Sequence, residues 1–387
     1  MKVMGTFLEV IAAILLILTL LGGLYCLFSL WCVAGFFRLP KYSPKDSLYP
    51  PVSILKPTRG VDPEWLDNIT SFVTQEYPEY EILLGFNDPC DEEVHLASDI
   101  AKVSGSRVRV VVHSTHLGAN PKVSNLCGLL REARYPLLLI SDSDIRVNRT
   151  YLKEIVGEYL ATENVGIVTS LSKIPSALSM GAALESLTNT ADFIPSVLVA
   201  RRLEGVTFGL GPSMMLSKER LQEIGGLPAF ADYLAEDYQI GNRLREKGYR
   251  NILSTHLIEN VIGRMSILKH LVHQMRLART YRACRPRGFF GYGITHMFAF
   301  ALLFPILHGP TPFSLSVLAA AFMLRCCLVL VVSRKAGHPA RWLRWLWLLP
   351  VKDLLSFGIW LLCFLGSHVT WRGFHYKLLK DGLMKKV

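Results

Sequence analysis

Residues 135–145 of the 387-residue chain read YPLLLISDSDI, an apolar run of strand length that ends in two aspartates, Asp142 and Asp144. A short continuous apolar run is typical of a strand buried on both faces. Side chains alternate along a strand, so two acids separated by one residue can point the same way. Such a pair suits a hard divalent cation that shares its ligands with substrate phosphates. Turn or capping aspartates are the alternative, but the buried run favours a site for Mg²⁺ or Mn²⁺.

Three more apolar runs have the length of buried strands: PVSILKP (51–57), YEILLGF (80–86) and RVRVVVH (107–113). The segments DEEVHLASDIAKV and NPKVSNLCGLLREA between the runs have helical periodicity. Strands that alternate with helices predict an α/β fold with a Rossmann-like, mainly parallel sheet flanked by helices, here over residues 39–288. Ligands of such sheets bind where the strands end at their carboxyl edge.

The N-terminal part of the chain predicts a membrane anchor. The composition is 51% hydrophobic with a net charge of +11, and Val10–Phe37 contains no charged residue. About 20 apolar residues cross a bilayer, and this run exceeds the apolar core of a signal peptide, so we interpret residues 1–38 as a transmembrane anchor. Arg38, Lys41 and Lys45 follow it, which predicts that the next domain is cytoplasmic.

The apolar character returns over residues 289–370 and predicts a second membrane region. A loop around HGPTP (308–312) divides its first part into a hairpin of two spans. Its last part, Trp345–Gly366, is interrupted by Lys352 and Asp353, so it either spans, re-enters or lies in the interface.

Two features favour a cytoplasmic location for the polar part of the chain. Residues 371–387 form a basic tail, and Cys90, Cys127 and Cys284 are the cysteines outside the apolar segments. No C-x-x-C pair is present, which argues against structural zinc and a disulfide framework. The positive charge is compatible with nucleic acid, an anionic membrane or a phosphorylated substrate, and the apolar flanks favour the last two.

Two further acidic positions are candidates for the site. Asn87-Asp88 follows the second predicted strand, and LAEDYQIGNRLREKGYR (234–250) places Glu236 and Asp237 at the start of a predicted helix. Acidic residues in a first helical turn suit the helix dipole without any further role. The alternative is that one of them acts as a catalytic base.

Basic residues occur beside these acids and before the second membrane region. Lys56 ends the first strand and Lys122 begins a helix, where each is either a phosphate ligand or a surface lysine. Arg276, Arg279 and Arg282 lie at helical spacing in HQMRLARTYRACRPR. Arginine forks bind phosphate, and a basic helix before a membrane span also rests on anionic lipid head groups; both interpretations remain open.

Taken together, the order of these motifs resembles integral-membrane family-2-type glycosyltransferases, and more closely the ceramide glucosyltransferase family. Bacterial hopanoid-associated glycosyltransferases are similar over the same segments. The resembling stretches are VSILKPTRGVDP, QEYPEYEILLGFND, NPKVSNL, SDSDIRV, ADYLAEDYQIG and VTWRGFHYKLL, with SVLVARRLEGVTFGLGPSMMLSKE similar to the hopanoid branch.

The resemblance implies a GT-A fold and a role for each acid. Asp88 would contact the nucleotide, Asp142 and Asp144 would bind the metal and UDP, and Asp237 would be the general base with Glu236 as its neighbour. The resemblance thus favours catalysis over a plain capping role for the pair that begins the helix.

The family's (Gln/Arg)-x-x-Arg-Trp motif is matched in part. Arg276 takes the arginine position, His273 stands where Gln or Arg is expected, and Leu277 replaces Trp. With Lys56 and Lys122, His273 and Arg276 complete the predicted nucleotide-sugar site.

The predicted function is an inverting transfer of glucose or N-acetylglucosamine from a UDP-sugar to a lipid hydroxyl, on ceramide or a hopanoid polyol. Two alternatives are a processive polysaccharide synthase and a non-catalytic membrane scaffold that binds lipid. The predicted partners are the UDP-sugar, the lipid acceptor and the bilayer, and no nucleic acid. A multi-pass protein of a bacterial inner membrane is favoured over a Golgi protein.

Overall fold

The computed structural model describes residues 2–40, 49–60, 64–90, 92–114, 116–371 and 373–387. Lys41 and Lys45, two of the basic residues expected to follow the anchor, lie outside the described residues.

A mixed eight-stranded sheet forms the centre of the described part of the chain, in the order β3-β2-β1-β4-β7-β6-β8-β5. Six of these strands run parallel, while β7 and β5 are antiparallel to their neighbours. The predicted mainly parallel α/β sheet is therefore confirmed. The strands of this sheet are β1 Val52–Pro57, β2 Tyr80–Phe86, β3 Val108–Val112, β4 Leu137–Ile140, β5 Ile145–Arg146, β6 Val165–Lys173, β7 Met214–Ser217 and β8 Arg250–Asn260.

Helices cover both faces of this sheet, and further helices form the membrane region. The segments with helical periodicity before β3 and β4 are α3 and α4, as predicted. The helices are α1 Lys2–Phe36, α2 Trp65–Val73, α3 Glu92–Ser104, α4 Pro121–Glu132, α5 Tyr151–Leu160, α6 Met180–Thr188, α7 Ile194–Glu204, α8 Lys218–Glu223, α9 Glu236–Glu246, α10 Ile267–Cys284, α11 Pro286–Gly291, α12 Met297–His308, α13 Pro312–Lys335 and α14 Leu349–Cys363, with a π-helical turn at Asn189–Phe193.

The central strands are buried along their whole length, which explains their continuous apolar sequences. In β4, Leu139 packs into the core on one face of the sheet and Leu138 into the core on the other. The same alternation places Ile54 and Leu55 of β1 on opposite faces. Because side chains alternate along a strand, a strand covered on both faces is apolar at most positions, and in β4 the first polar residue, Ser141, follows the last residue of the strand.

Within the described ranges, three helices are long and apolar enough to cross a membrane, at Thr6–Phe36, Pro312–Lys335 and Ala340–Cys363. The first arm of the expected hairpin differs from a straight span. Pro286–Thr295 and Met297–His308 form a pair bent by 56°. The 12 residues of α12 extend only about 18 Å at 1.5 Å per residue, which is too short to cross a hydrocarbon core of about 30 Å alone.

The charges that interrupt the last apolar segment are buried inside the protein. Lys352 is paired with Asp353 and with Asp192 of the π-helical turn. Arg325 of α13 is paired with the same two aspartates. The two positive and two negative side chains form a neutral cluster, so the charges of Lys352 and Asp353 are compensated inside the protein. The segment that contains them, Ala340–Cys363, has the length and composition of a membrane span.

Residues after the last apolar helix form a small antiparallel sheet of β9 His368–Trp371, β10 Phe374–Leu378 and β11 Met384–Lys386. The predicted basic tail is thus folded. Tyr233 and Leu383 form an antiparallel bridge, the Leu234 N–H donates to Gly382 O at 3.1 Å, and the Met384 N–H donates to Asp232 O at 2.8 Å. The small sheet therefore holds the loop that leads into α9.

Candidate active site

The buried side chain of Lys56 holds the turn after β4. This side chain is fully buried, its Nζ donates to Asp142 O at 2.8 Å and to Ser141 Oγ at 3.3 Å, and it lies 3.6 Å from the centre of the Phe72 ring. Lys56 therefore fixes the backbone that carries Asp142, and its ammonium contacts the turn from inside the fold.

Lys122 joins two of the predicted acids. Its Nζ lies 2.6 Å from Asp142 Oδ1 and 2.9 Å from Glu236 Oε1. The position of Lys122 follows from the start of α4, where Asn120 Oδ1 accepts the backbone N–H of Lys122 at 2.9 Å. Burial lowers the pKa of Lys122, but the nearby charges of Asp142, Glu236 and Asp237 outweigh burial and raise it above its usual value. Lys122 is therefore a permanent cation within the cluster.

Glu236 and Asp237 begin α9 and have different environments. Glu236 is buried and accepts a hydrogen bond from Asn120 Nδ2 at 3.0 Å in addition to its pairing with Lys122. Asp237 is partly exposed, and its two oxygens accept the backbone N–H groups of Gly211 at 2.6 Å and Tyr238 at 2.8 Å. Glu236 is thus fully engaged by the fold, whereas Asp237 is held at the surface of the cluster.

The carboxyl group of Asp237 is basic for an aspartate. Burial and the charge of Glu236 raise its pKa to about 6, although Lys122 and the backbone N–H groups of Tyr238 and Gly211 act in the opposite direction. A carboxylate with such a pKa is ionised at neutral pH and accepts a proton more readily than an ordinary aspartate.

Glycines that were not predicted as part of the site bring the segment before β7 against the cluster. A Cβ on Gly211 would lie 3.0 Å from Asp237 Oδ2, 3.3 Å from Lys122 Nζ and 3.5 Å from Asp142 Oδ2. A Cβ on Gly241 of α9 would lie 2.1 Å from the backbone N of Gly209. In the sequence, the Gly-rich stretch FGLGPS at 208–213 is the feature that could have indicated this close backbone approach.

Asp88 and Asp144 also lie after strands β2 and β4, which are both neighbours of β1. Asp88 is exposed, and its Oδ1 accepts the Cys90 N–H at 2.9 Å. Asp144 is partly exposed, and its backbone carbonyl accepts the Val261 N–H at 2.9 Å. The acids predicted at the strand ends therefore all belong to the carboxyl edge of the sheet, at positions open to solvent.

The two acids predicted to bind a divalent cation, Asp142 and Asp144, lie directly after β4. No group of three or more His, Cys, Asp or Glu residues capable of holding a metal is found within the described ranges, and Asp142 Oδ1 is paired with Lys122 Nζ at 2.6 Å. Mg²⁺ is commonly bound through one or two carboxylates together with substrate phosphates, so these side chains are of the residue type that such a cation uses.

His273 and Arg276, the two site residues predicted on α10, lie in different surroundings from the acids around Lys122. His273 Nδ1 lies 3.2 Å from Glu185 Oε1 of α6, and the same carboxylate lies 2.6 Å from His270 Nδ1 and accepts from Gln274 Nε2 at 3.0 Å. His273 thus helps to seat α10 on α6, and Arg276 lies partly exposed within the same helix. The structure brings Asp142, Lys122, Glu236 and Asp237 into contact; the described contacts of His273 lie elsewhere.

The mixed, mainly parallel sheet with its flanking helices has the architecture of the GT-A class of glycosyltransferase folds. The solved mannosyltransferase from Pyrobaculum calidifontis, in complex with GDP-Man and Mn²⁺, superposes with a TM-score of 0.53 at 18% identity, over 91% of this chain and 99% of that chain.

The chain belongs to glycosyl transferase family 21, whose sequence model matches residues 14–384. Ceramide glucosyltransferase 3 of Caenorhabditis elegans is 32% identical over 236 residues, which cover 60% of this chain and 51% of the relative. Ceramide glucosyltransferase of Komagataella phaffii is 24% identical over 90% of this chain and 87% of its own length. The chain thus spans about half the length of the nematode relatives. The predicted ceramide glucosyltransferase resemblance is confirmed at the level of the family.

Proposed function

We propose that the chain is a membrane-bound, inverting glycosyltransferase that transfers a hexose, glucose or N-acetylglucosamine, from a UDP-sugar to the hydroxyl group of a lipid. The acceptor would be ceramide or a hopanoid polyol, with the catalytic domain on the cytoplasmic side of the membrane. Family membership and the names of the relatives support transfer of a sugar to a lipid. The observation that carries the proposal is the partly exposed Asp237, held by two backbone N–H groups with a pKa raised to about 6.

In the proposed reaction the acceptor hydroxyl attacks the anomeric carbon from the face opposite UDP. A bond forms between the acceptor oxygen and the anomeric carbon, the bond to the diphosphate breaks, and Asp237 takes the hydroxyl proton. Because the backbone N–H groups of Gly211 and Tyr238 hold both oxygens of Asp237, this carboxylate has a defined direction before the acceptor arrives. Glu236 serves a positioning role, since it is buried against Lys122 and Asn120.

The donor would bind along the carboxyl edge of β1, β2 and β4. Asp88 would contact the nucleotide, and Asp142 with Asp144 would hold Mg²⁺ or Mn²⁺ beside the diphosphate. When bound, the cation would offset the charge of the departing UDP. Lys56 would act indirectly through the turn that carries Asp142, while Lys122 keeps Asp142 oriented. His273 and Arg276 would act from α10, the helix that packs against α6 and α14.

The test is a lipid-product assay. Wild type and Asp237→Asn are produced in a host without glycolipids, supplied with ceramide or with a hopanoid polyol, and the lipid extracts are examined by mass spectrometry. Glu246→Gln is the matched control, because Glu246 is an exposed acid at the other end of the same helix. We expect a mass increase of one hexose or one N-acetylhexosamine on one acceptor with wild type and the control, and loss of this product with Asp237→Asn.

The outcomes separate the candidate functions. A single added sugar supports the proposal and identifies the acceptor, and a polymeric product would instead support a polysaccharide synthase. No product on either lipid, from a folded protein in the membrane with UDP-sugars present, would contradict the proposed acceptors. Product formation by Asp237→Asn at the wild-type rate would remove Asp237 from the role of base.

A further inference from the structure

A cavity lies where α10 and α11 meet the end of α14 and the small C-terminal sheet. Its volume is about 480 Å³. Its walls include three cationic side chains and four large apolar ones, and no carboxylate is among its lining residues within the described chain. The cationic side chains are Arg279, Arg282 and Lys380, and the large apolar ones are Phe290, Phe364, Leu378 and Leu379.

The cationic wall carries charge that the described protein groups leave unmatched. Arg279 Nη1 donates to His368 O, and Arg282 Nη2 donates to Gly366 O at 2.6 Å, so both guanidinium groups are held by backbone carbonyls of one loop. Arg279 Nε is buried and has no hydrogen-bond partner among the described groups. A buried cationic donor without a partner is expected to meet an anion, and a guanidinium matches the oxygens of a phosphate.

The apolar wall lies at the end of a candidate membrane span. Phe364 directly follows the segment Ala340–Cys363, and Phe290 lies on α11, in the bent pair. Phe290 is 71% exposed and Leu365, next to Phe364, is 81% exposed. Large apolar side chains this exposed beside arginines are typical of the boundary between acyl chains and head groups.

We propose that this cavity binds one anionic phospholipid of the membrane. Arg279, Arg282 and Lys380 would contact the phosphate of the head group, and Phe290 with Phe364 would contact the first part of the acyl chains. The site is separate from the proposed glycosyl transfer, since none of these residues belongs to the cluster around Asp237. Charge complementarity selects a phosphate-bearing lipid that carries a net negative charge over a neutral lipid such as ceramide.

The bound lipid would also attach the C-terminal sheet to the membrane. Lys380 precedes Asp381 and Gly382, whose carbonyls accept hydrogen bonds from Gln239 Nε2 at 2.6 Å and from the Leu234 N–H at 3.1 Å. One lipid would therefore contact the segment that holds the start of α9.

The test measures lipid retention and needs no enzymatic assay. The full-length protein is delipidated in detergent, mixed with equimolar phosphatidylglycerol and phosphatidylcholine, and the retained lipids are counted by native mass spectrometry. We expect wild type to retain phosphatidylglycerol preferentially and Lys380→Gln to reduce this preference roughly fivefold, as expected for one basic residue near an anionic head group. Arg282→Gln should act in the same direction. Arg341→Gln is the control, because Arg341 is exposed and lies outside the cavity.

Lys380 is exposed, so its substitution is compatible with folding. If Arg282→Gln does not fold, Lys380→Gln still tests whether the cationic side chains of the cavity select the anionic lipid. Equal retention of the two lipids by wild type would overturn the proposal, as would an equal loss in Arg341→Gln. Displacement of phosphatidylglycerol by excess inorganic phosphate would show a free-phosphate site and overturn it as well. Because binding is the readout, a failure here is distinguishable from a failure of the proposed transferase activity.

Discussion

Lys122 Nζ lies 2.6 Å from Asp142 Oδ1, and this contact joins the end of β4 to the start of α4. The same ammonium reaches Glu236 Oε1 at 2.9 Å, so one cation connects three segments that are far apart in sequence. Removal of one partner from a buried ion pair costs more than the pair itself contributes, because the remaining charge is left uncompensated. Lys122 therefore stabilises the arrangement that brings the end of β4 and the start of α9 together, while its charge limits the rise in the pKa of Asp237.

The raised pKa of Asp237 predicts an acid limb in the pH profile of the reaction. Asp237 accepts a proton only when it is ionised, and with a pKa of about 6 its ionised fraction falls as pH falls through that value. We expect the rate of the chemical step to fall roughly tenfold between pH 7 and pH 5. The measurement is the pH dependence of kcat for glycolipid formation, with the stability of the protein checked at each pH. A flat profile down to pH 4.5 would argue against Asp237 as the base.

Changes in the neighbouring charges should move this acid limb in opposite directions. Glu236→Gln removes a negative charge that raises the pKa of Asp237, so the variant should keep more of its neutral-pH rate at pH 5.5 than wild type. Lys122→Met removes a positive charge that lowers the pKa of Asp237, so its limb should lie at higher pH. The comparison uses rates normalised to each protein's own maximum. Movement of both limbs in the same direction would contradict the electrostatic explanation.

Gly241→Ala should disturb the seating of α9. The new methyl group would lie 2.1 Å from the backbone atoms Gly209 N and Phe208 C, and backbone atoms cannot move aside as a flexible side chain does. We expect a loss of about 1–3 kcal/mol in the free energy of unfolding, as is usual for an overpacked site, with a larger relative loss of activity because Asp237 is displaced. Gly358→Ala in α14 is the control, since nothing lies within 4 Å of its added Cβ. Thermal unfolding in detergent and the product assay provide the two measurements.

Deletion of residues 380–387 should abolish activity while membrane insertion is retained. The deletion removes β11 together with the backbone bonds from Leu234 N–H to Gly382 O and from Met384 N–H to Asp232 O. The loop before α9 then loses its support, and we expect activity to fall by at least about tenfold because Asp237 is no longer held in place. Product formation and carbonate extraction of membranes measure the two effects.

Lys385→Ser is the control for this deletion. Its side chain is exposed, whereas the backbone pairing of β11 is kept. We expect activity near that of wild type. A loss as large as that of the deletion would indicate that the charge of the tail, and not its backbone contacts, is required.

Lys352→Met should strongly destabilise the membrane region. In the variant, Arg325 is the one positive charge that remains in the cluster beside the two negative charges of Asp192 and Asp353. One buried negative charge therefore loses its compensation. Removal of one partner from a buried ion pair costs about 3–5 kcal/mol. Thermal unfolding in detergent should show a clear decrease in Tm.

Lys335→Met is the control for this charge, because Lys335 is an exposed basic residue at the end of α13. Surface substitutions usually change the free energy of unfolding by less than about 0.5 kcal/mol, so its Tm should stay near that of wild type. Equal Tm values for the two variants would contradict a structural role for the cluster.

Features that depend on local pattern could be predicted from the sequence alone. Largely apolar runs predicted β1, β2, β3 and β4, and the longest run without a polar residue, in β4, belongs to a strand that is buried on both faces. The same rule located the predicted acids, since Asp88, Asp142 and Asp144 follow the points where those strands stop being buried. Asp237 lies in the first turn of its predicted helix, and the family resemblance added the expectation that it acts as the general base.

Tertiary structure decided the contacts between distant segments. Lys56 and Lys122 are both lysines near predicted acids, yet one is buried beneath the turn and the other bridges Asp142 and Glu236. The approach of Gly211 to Asp237, the bridge from Tyr233 to Leu383 and the pairing of Lys352 with Asp192 likewise join residues more than 20 positions apart. Local periodicity reports which face of an element is buried, but the charge or backbone group that meets that face is determined only when the elements pack together.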